Sequence, residues 1–348
     1  MGQVYLIGLS VVIGFIFNKL NIPIPWILGG IIGVLVLQIA RVKGFFWKRE
    51  WRMYALVVVG YGIGRYVNPK VIEQVSEEGV GIVSATLIAV LMAIIISMAM
   101  TKYEHLDFHS VLMGIMPGGF TQMTAMLDED TRVDPNIVTV YQSLRLLTIE
   151  ICIPFLVLTF LDAKTAVDSG SLAVHDGISF WLIIPFCVLG AVLADKLGLA
   201  TPFLVGPLLV SGIVALVWGP LDSPPGLLMT IAQLSIGIYV GVGLDLAHLK
   251  ALAKTLPATF LGIFVMLAMC MAFASGLAYF YGFDLITAFL AMAPGGIAEM
   301  CLTGMSVGAN VAIILTYQLF RMLFISFVVP VALKKYFGVP EKTPLKME

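Results

Sequence analysis

Two arginines lie deep inside apolar stretches of this chain, and the same polar residues precede each of them. The two motifs are Tyr141-Gln142-x-x-Arg145 and Tyr317-Gln318-x-x-Arg321. Residues three and four apart share a helix face, so each motif presents a phenol, an amide and a guanidinium together. A guanidinium binds a carboxylate or phosphate in bidentate geometry. The pattern predicts a site for an organic anion, unless each arginine only holds backbone carbonyls or an acid in place.

A Pro-Gly-Gly triplet precedes each arginine motif, at Pro117-Gly118-Gly119 and at Pro294-Gly295-Gly296. Proline removes a helix donor and glycine is a poor helix former, so the helix should break there. Backbone groups freed inside a membrane need partners from protein or from a wet cavity. The half-helix that begins after each break favours an anion. We predict that both triplets line one cavity, into which Thr121, Gln122 and Glu299 project.

One acidic residue breaks the likeness between the two motifs. Glu299 occupies the position that Gln122 occupies in the first copy. A carboxyl group near half-helix ends and within reach of an arginine could hold a coupling proton or cation, or neutralise the arginine. Glu150, five residues beyond Arg145 and therefore off its helix face, is a weaker candidate for a proton relay.

The remaining residues give little support for other chemistry. The four histidines (His105, His109, His175 and His248) fall in loops or at segment ends. The four cysteines stand in apolar segments, where packing is their expected role, and no phosphate-binding loop occurs. The sequence therefore predicts no metal site, no cofactor and no catalytic residues, and we expect a protein that is not an enzyme.

Composition places the chain in a lipid bilayer. Hydrophobic residues make up 60% of it and charged residues 12%, against roughly 25% charged in soluble domains, and the mean hydropathy is +1.02. The net charge of −1 offers no basic surface for phosphates, so nucleic acid is not an expected partner.

The chain is internally duplicated. The second Pro-Gly-Gly follows the first after 177 residues, and Lys19, Pro25 and Asp107 recur with the same shift. We predict an all-α, polytopic membrane fold of two homologous repeats, each with about five transmembrane helices plus a re-entrant or broken helix. The expected boundaries are repeat 1 at 1–161, a linker at 162–177, repeat 2 at 178–336 and a cytoplasmic tail at 337–348.

The path of each broken segment decides how the repeats are related. Crossing segments give parallel repeats, whereas segments that enter and leave on one side give inverted repeats. Cytoplasmic loops collect Lys and Arg. Leaving out Arg145 and Arg321, crossing segments divide the basic residues 11 to 7 between the two sides, and hairpins divide them 14 to 4. Inverted repeats are favoured, with the basic loop from Arg41 to Arg52 and both termini in the cytoplasm.

The paired Pro-Gly-Gly and Tyr-Gln-x-x-Arg motifs, with Lys-Leu-x-x-x-x-Pro-x-x-x-Gly at Lys19 and Lys196, resemble the AbrB-type membrane protein family. The resemblance covers essentially the whole chain. It implies an internally duplicated, polytopic inner-membrane protein, and members are often labelled regulators or ammonia monooxygenases. It transfers no substrate and no catalytic residue, and it does not imply DNA binding.

These observations lead to one expected function and one alternative. We expect a secondary transporter of small organic anions such as carboxylates, driven by a proton or cation gradient, in the bacterial plasma membrane. Its site would lie where the two broken segments meet, with Tyr141 and Tyr317 orienting the solute. The alternative is a membrane sensor or regulator that binds a ligand without moving it. The expected partners are a small anionic solute and the bilayer, and a homodimer is left open.

Overall fold

A computed structural model describes residues 2–42, 44–69, 73, 78–104, 106–117, 133–160, 177–199, 201–244 and 256–337. Over these residues the chain is helical, and the only extended pairing is an isolated bridge between Ile178 and Leu221. The helices are α1 (Gly2–Lys19), α2 (Pro25–Ile39), α3 (Arg49–Gly64), α4 (Gly79–Glu104), α5 (Phe108–Ile115), α6 (Pro135–Phe160), α7 (Phe180–Lys196), α8 (Pro202–Trp218), α9 (Gly226–Val242), α10 (Leu256–Tyr281), α11 (Leu285–Met292), α12 (Ile297–Val307) and α13 (Val311–Phe337).

Five of the described helices are long and apolar enough to cross a membrane, namely α1, α4, α6, α10 and α13. Shorter apolar helices, among them α2, α8 and α9, accompany them. The predicted all-α, multi-pass membrane fold is therefore confirmed. The predicted linker lies almost wholly outside the described residues, as does the C-terminal tail after Phe337.

Local structure recurs in the two halves where the sequence recurs. Ile24 and Thr201 both have φ of 47°, in the left-handed region, and each precedes the proline that opens a helix. Asp107 and Asp284 both cap the short helix after them, by accepting a hydrogen bond from the backbone N–H three residues later. The same residue types thus produce the same helix starts twice.

The helices pack into two bundles, and each bundle draws helices from both halves of the chain. The six-helix bundle contains α1, α2 and α3 with α7, α8 and α9. The hairpin bundle contains α4, α5 and α6 with α10, α11, α12 and α13. Within the described residues, the main packing between the bundles is that of α12 against α3. The units of packing therefore cut across the two sequence repeats.

Close contacts fix the directions of the helices in the six-helix bundle. A Cβ on Gly237 of α9 would collide with the carbonyl oxygen of Ile27 near the start of α2. At the other end of the pair, the Gln38 amide donates to the carbonyl oxygen of Leu244 at 3.0 Å. Residue numbers rise together along the two helices, so α2 and α9 run parallel.

The same reasoning orients α3. Met229, early in α9, lies against Gly62, late in α3, whereas Tyr239 lies over Arg52 at the start of α3; α3 and α9 are therefore antiparallel. A Cβ on Gly60 would lie 2.5 Å from the carbonyl oxygen of Leu204, early in α8, and one on Gly64 would meet Leu208, a turn later. Because α3 and α8 are thus parallel, α2 and α8 run in opposite directions, although they occupy corresponding places in the two halves.

The second broken segment returns to the end from which it starts. Thr287, in the first turn of α11, accepts a hydrogen bond through Oγ1 from the backbone N–H of Asn310, just before α13, at 2.9 Å. In the first half, Ser110 Oγ accepts one from the N–H of Asp134 at the same distance. Each segment thus begins and ends at one level of the bundle, as a re-entrant hairpin does.

Candidate functional site

Arg145 and Arg321 are buried, and both donate to backbone carbonyls at the breaks. Arg145 Nη1 donates to the carbonyl oxygen of Ile115 at 2.7 Å and also to that of Met116. Arg321 binds three successive carbonyl oxygens of the second break: Nη1 is 3.3 Å from that of Ala291 and 2.9 Å from that of Met292, and Nη2 is 2.7 Å from that of Ala293. The two arginines thus make matching contacts, Arg145 in the first half and Arg321 in the second.

The contacts follow from the broken helices. The last carbonyl groups of α5 and α11 have no partner within their own helix and carry the negative end of its dipole. Gln142 and Gln318 complete the arrangement. The Gln142 side chain donates to the carbonyl oxygen of Met113 at 2.9 Å, and that of Gln318 donates to those of Leu290 and Ala293 at 2.8 and 3.0 Å. The arginines therefore hold backbone carbonyls of the hairpins in place, which is a structural role.

A cavity of about 690 Å³ lies between the two bundles. Its wall in the hairpin bundle is formed by Pro117, Thr139, Gln142, Ser143, Arg145, Leu146, Gly295, Gly296, Ile297, Ala298, Glu299, Gln318, Arg321 and Met322. Its wall in the six-helix bundle is formed by Arg49, Arg52, Leu56, Thr201, Leu204, Tyr239, Val240, Val242 and Gly243. The predicted meeting of the two broken segments at one cavity is thus seen for Pro117 on one side and Gly295 with Gly296 on the other.

Several predicted residues do not line this cavity. Tyr141 is buried against Gly114 of α5. Tyr317 is buried with its hydroxyl near Gly81 of α4 and its ring edge-on to Phe283. Each tyrosine lies one helical turn before its arginine, and at that level of the helix the side chain packs against neighbouring helices and does not face the cavity. The role of orienting the solute therefore has no geometric basis. Pro294 is buried behind the wall, while Gly118, Gly119, Thr121 and Gln122 lie outside the described residues.

The main residue that sequence reasoning misses is Arg52, because the sequence alone places it in a basic loop. Helix α3 begins at Arg49, so Arg49, Arg52 and Leu56 share one helical face and line the cavity. The guanidinium carbon of Arg52 lies 4.9 Å from the centre of the Tyr239 ring. Its Nε is buried without a hydrogen-bond partner in the described part of the chain. The spacing of three and four residues was the signal that could have placed these arginines on a helix.

Glu299 occupies the N-terminus of α12. Gly296 is the N-cap, and the Glu299 carboxylate folds back so far that a Cβ on Gly296 would collide with Oε2. The carboxylate accepts a hydrogen bond from its own backbone N–H. In the described residues, no Lys or Arg nitrogen lies within 4.0 Å of it. The half-helix end predicted to attract an anion is therefore filled by the protein's own carboxylate.

Glu150 is fully buried beside the second hairpin. Its neighbour Ile149 lies next to Gly295, where an added Cβ would be 3.2 Å from Ile149 Cγ2. Neither carboxylate oxygen of Glu150 has a hydrogen-bond partner among the described residues. It interacts electrostatically with Glu299 and with Arg52. Two carboxyl groups and one guanidinium are therefore near enough to interact electrostatically, and no direct ion pair joins them within the described residues.

This fold and site define a class: a multi-pass, all-helical membrane protein with a charged cavity between two helix bundles. The chain belongs to the AbrB family, since the family model described as "AbrB: Transition state regulatory protein AbrB" matches residues 26–336. The predicted family is thus confirmed.

Two relatives match nearly full length. One is "Uncharacterized protein YhjN" of Bacillus subtilis (strain 168), 24% identical over 94% of this chain and 91% of the relative. The other is "Putative regulator AbrB" of Escherichia coli (strain K12), 24% identical over 92% of both chains. No solved structure matches. The family and the relatives' names leave the function open.

Proposed function

We propose that this protein is a secondary transporter of small organic anions, driven by a proton or cation gradient. The observation that carries the proposal is the 690 Å³ cavity between the two bundles, bounded by both breaks. Its volume falls within the roughly 300–1,000 Å³ that is typical of small-molecule sites. A solute held there would touch both bundles, so relative movement of the bundles would change the side to which the solute is exposed.

The charges of the cavity favour an anion. Its described lining contains four arginines (Arg49, Arg52, Arg145 and Arg321) and a single acidic residue, Glu299. Like charges gathered in a partly enclosed, low-dielectric space attract ions of the opposite sign much more strongly than the same charges do in water. The preferred solute class is therefore a carboxylate, which a guanidinium can bind through two hydrogen bonds.

The helix directions support inverted repeats. Corresponding helices α2 and α8 run in opposite directions, and each broken segment returns to its own starting level. Two such repeats can exchange conformations, which gives one protein two states that face opposite sides of the membrane.

The cavity lies beside the start of α8. Thr201 and Leu204 line it, whereas their counterparts in the first half, Ile24 and Ile27, are not among its lining residues. The cavity reaches the surface at Arg49, which is exposed. The basic loop lies at this end of the protein. Because cytoplasmic loops are enriched in Lys and Arg, we propose that the cavity opens to the cytoplasm and that both termini are cytoplasmic. The proposed location is the bacterial plasma membrane.

Counterflow in proteoliposomes tests the proposal. Purified protein is reconstituted in vesicles loaded with unlabelled acetate, lactate, succinate or citrate, and uptake of the same labelled anion is followed. We expect saturable counterflow for at least one of these carboxylates and background uptake in empty vesicles. If a carboxylate raises the unfolding temperature of the protein but none of the four shows counterflow, the protein is a sensor that binds an anion without moving it.

A further inference from the structure

We infer that Arg52 is the residue that binds the carboxylate of the solute, and that Glu150 and Glu299 together take up the coupling proton when the anion arrives. The inference rests on the proposed transport function and names both the anchoring residue and the coupling ion for the same cavity. It differs from the sequence-based expectation, in which Arg145 and Arg321 would bind the solute.

The buried arginines are largely engaged by the protein. Both terminal nitrogens of Arg321 donate to carbonyl oxygens, and Nη2 also donates to the side chain of Gln318. Arg145 Nη1 holds two carbonyl oxygens, which leaves only Nε and Nη2 without a partner among the described residues. A solute that took over these donors would strip the hairpin ends of their partners, and buried carbonyl groups without partners are costly.

Arg52 is uncommitted by comparison. Within the described part of the chain it makes no hydrogen bond and no ion pair; its one contact of note is with the face of the Tyr239 ring. Stacking on an aromatic face fixes the plane of a guanidinium and leaves its N–H edges free. Arg52 also stands on the wall that begins at exposed Arg49, so an entering anion reaches it before the hairpin ends.

The two carboxyl groups supply the coupling. Glu299 lies on the cavity wall and Glu150 lies behind it, beside the second hairpin, and both interact electrostatically with Arg52. We take the pair to carry one negative charge before the anion binds, and the positive charge of Arg52 offsets it. A carboxylate bound to Arg52 takes that compensation away and leaves excess negative charge in a buried volume. Binding of one proton to a carboxylate oxygen of the pair removes the excess.

In the part of the chain that the structure describes, few other groups near the pair could take this role. Among the described residues, Arg52 on α3 interacts electrostatically with both carboxyl groups and Cys301 on α12 interacts with Glu299, while Arg145 on α6 and Arg321 on α13 line the same cavity. The two deep arginines are held by hairpin carbonyls. The proton therefore binds with the anion and leaves with it, which makes the protein a proton–anion symporter.

The test compares two readouts in proteoliposomes, using a carboxylate that the wild type carries. Counterflow measures anion binding and movement without a gradient, and accumulation driven by an inward proton gradient measures coupling. Arg52→Ala should lower counterflow by about 10- to 100-fold, as expected for a lost charged hydrogen-bonding partner, and Arg52→Lys should recover part of it. Glu150→Gln and Glu299→Gln should lower gradient-driven accumulation by a larger factor than they lower counterflow, because an amide cannot take up the coupling proton. Glu50→Gln, at an exposed position on α3, is the matched control.

The outcomes separate the two proposals. Absence of wild-type counterflow for every carboxylate refutes transport itself. Wild-type counterflow that survives Arg52→Ala within about twofold overturns the anchoring role of Arg52. Unchanged accumulation in both glutamine variants overturns the coupling role. If a glutamine variant does not fold, infrared difference spectra of the wild type on carboxylate binding decide the matter: a new band from a protonated carboxylic acid is expected, and its absence contradicts the inference.

Discussion

Replacement of Arg321 by alanine should destabilise the protein more than replacement of an exposed arginine by alanine does. The side chain holds the carbonyl oxygens of Ala291, Met292 and Ala293 at 3.3, 2.9 and 2.7 Å. These three residues are all at most 1% exposed, so water cannot replace the lost donor. The Ala293 carbonyl retains the amide of Gln318 as a donor at 3.0 Å, and the Met292 carbonyl retains the thiol of Cys270, a weak donor, with Sγ at 3.7 Å.

The magnitude follows from the two carbonyls that lose their arginine donor and have no amide to replace it. A buried polar group left without a partner costs about 1–3 kcal/mol, so the two together cost about 2–6 kcal/mol. The variant also removes the cost of keeping an ionised arginine inside the bilayer, which is roughly 2.5–3.5 kcal/mol on insertion scales and offsets part of the loss. The midpoints of these two ranges leave a net fall in the free energy of unfolding of about 1 kcal/mol, with an upper limit of about 3.5 kcal/mol.

The assay is unfolding in mixed micelles by titration with a denaturing detergent, followed by helix content. Arg49→Ala is the matched control, because Arg49 lines the same cavity but is exposed and makes no hydrogen bond within the described residues. It should change the free energy of unfolding by less than about 0.5 kcal/mol. If Arg321→Ala also changes the free energy of unfolding by less than about 0.5 kcal/mol but abolishes anion binding, the structural role is refuted and Arg321 is a ligand-binding residue.

Two further predictions concern packing and topology. Gly237→Ala should destabilise the protein by about 1–3 kcal/mol, because the new methyl group collides with the backbone carbonyl of Ile27. Gly276→Ala is the control, since nothing lies within 4 Å of a Cβ added there. In the same detergent titration it should be neutral or slightly stabilising. Cysteines introduced at the exposed positions Lys48 and Pro220, in corresponding interhelical loops, should react with a membrane-impermeant maleimide from opposite sides of the membrane. Labelling of both from one side contradicts inverted repeats.

The sequence anticipated the parts of the site that depend on local physical chemistry. Proline and glycine interrupt a helix wherever they occur, so the breaks at Pro117 and Pro294 could be placed, and the depth of Arg145 and Arg321 in apolar sequence required that each meet a partner. What those partners are depends on which segment packs against α6 and α13. A guanidinium can donate hydrogen bonds to a solute carboxylate or to backbone carbonyls. In the structure, the carbonyls at the ends of α5 and α11 are the acceptors.

Arg52 shows why a cavity is harder to predict than a motif. Five basic residues between 41 and 52 look like a cytoplasmic loop in one dimension. The structure starts α3 at Arg49, and α3 packs against α9 from the other half of the chain, which brings Tyr239 over Arg52. No local pattern encodes a pairing between helices about 190 residues apart in sequence.

By itself, the sequence determined that this protein is a duplicated, helical membrane protein with two broken segments and two buried arginines, because apolar length, helix breakers and charge depth act locally. Only the tertiary structure decided that the helices of the two halves interleave into two bundles, that the arginines hold hairpin ends, and that Arg52, Glu299 and Glu150 lie together. Those facts depend on which helix surfaces fit closely against each other, as Gly237 fits against Ile27, and such complementarity is a property of pairs of distant segments.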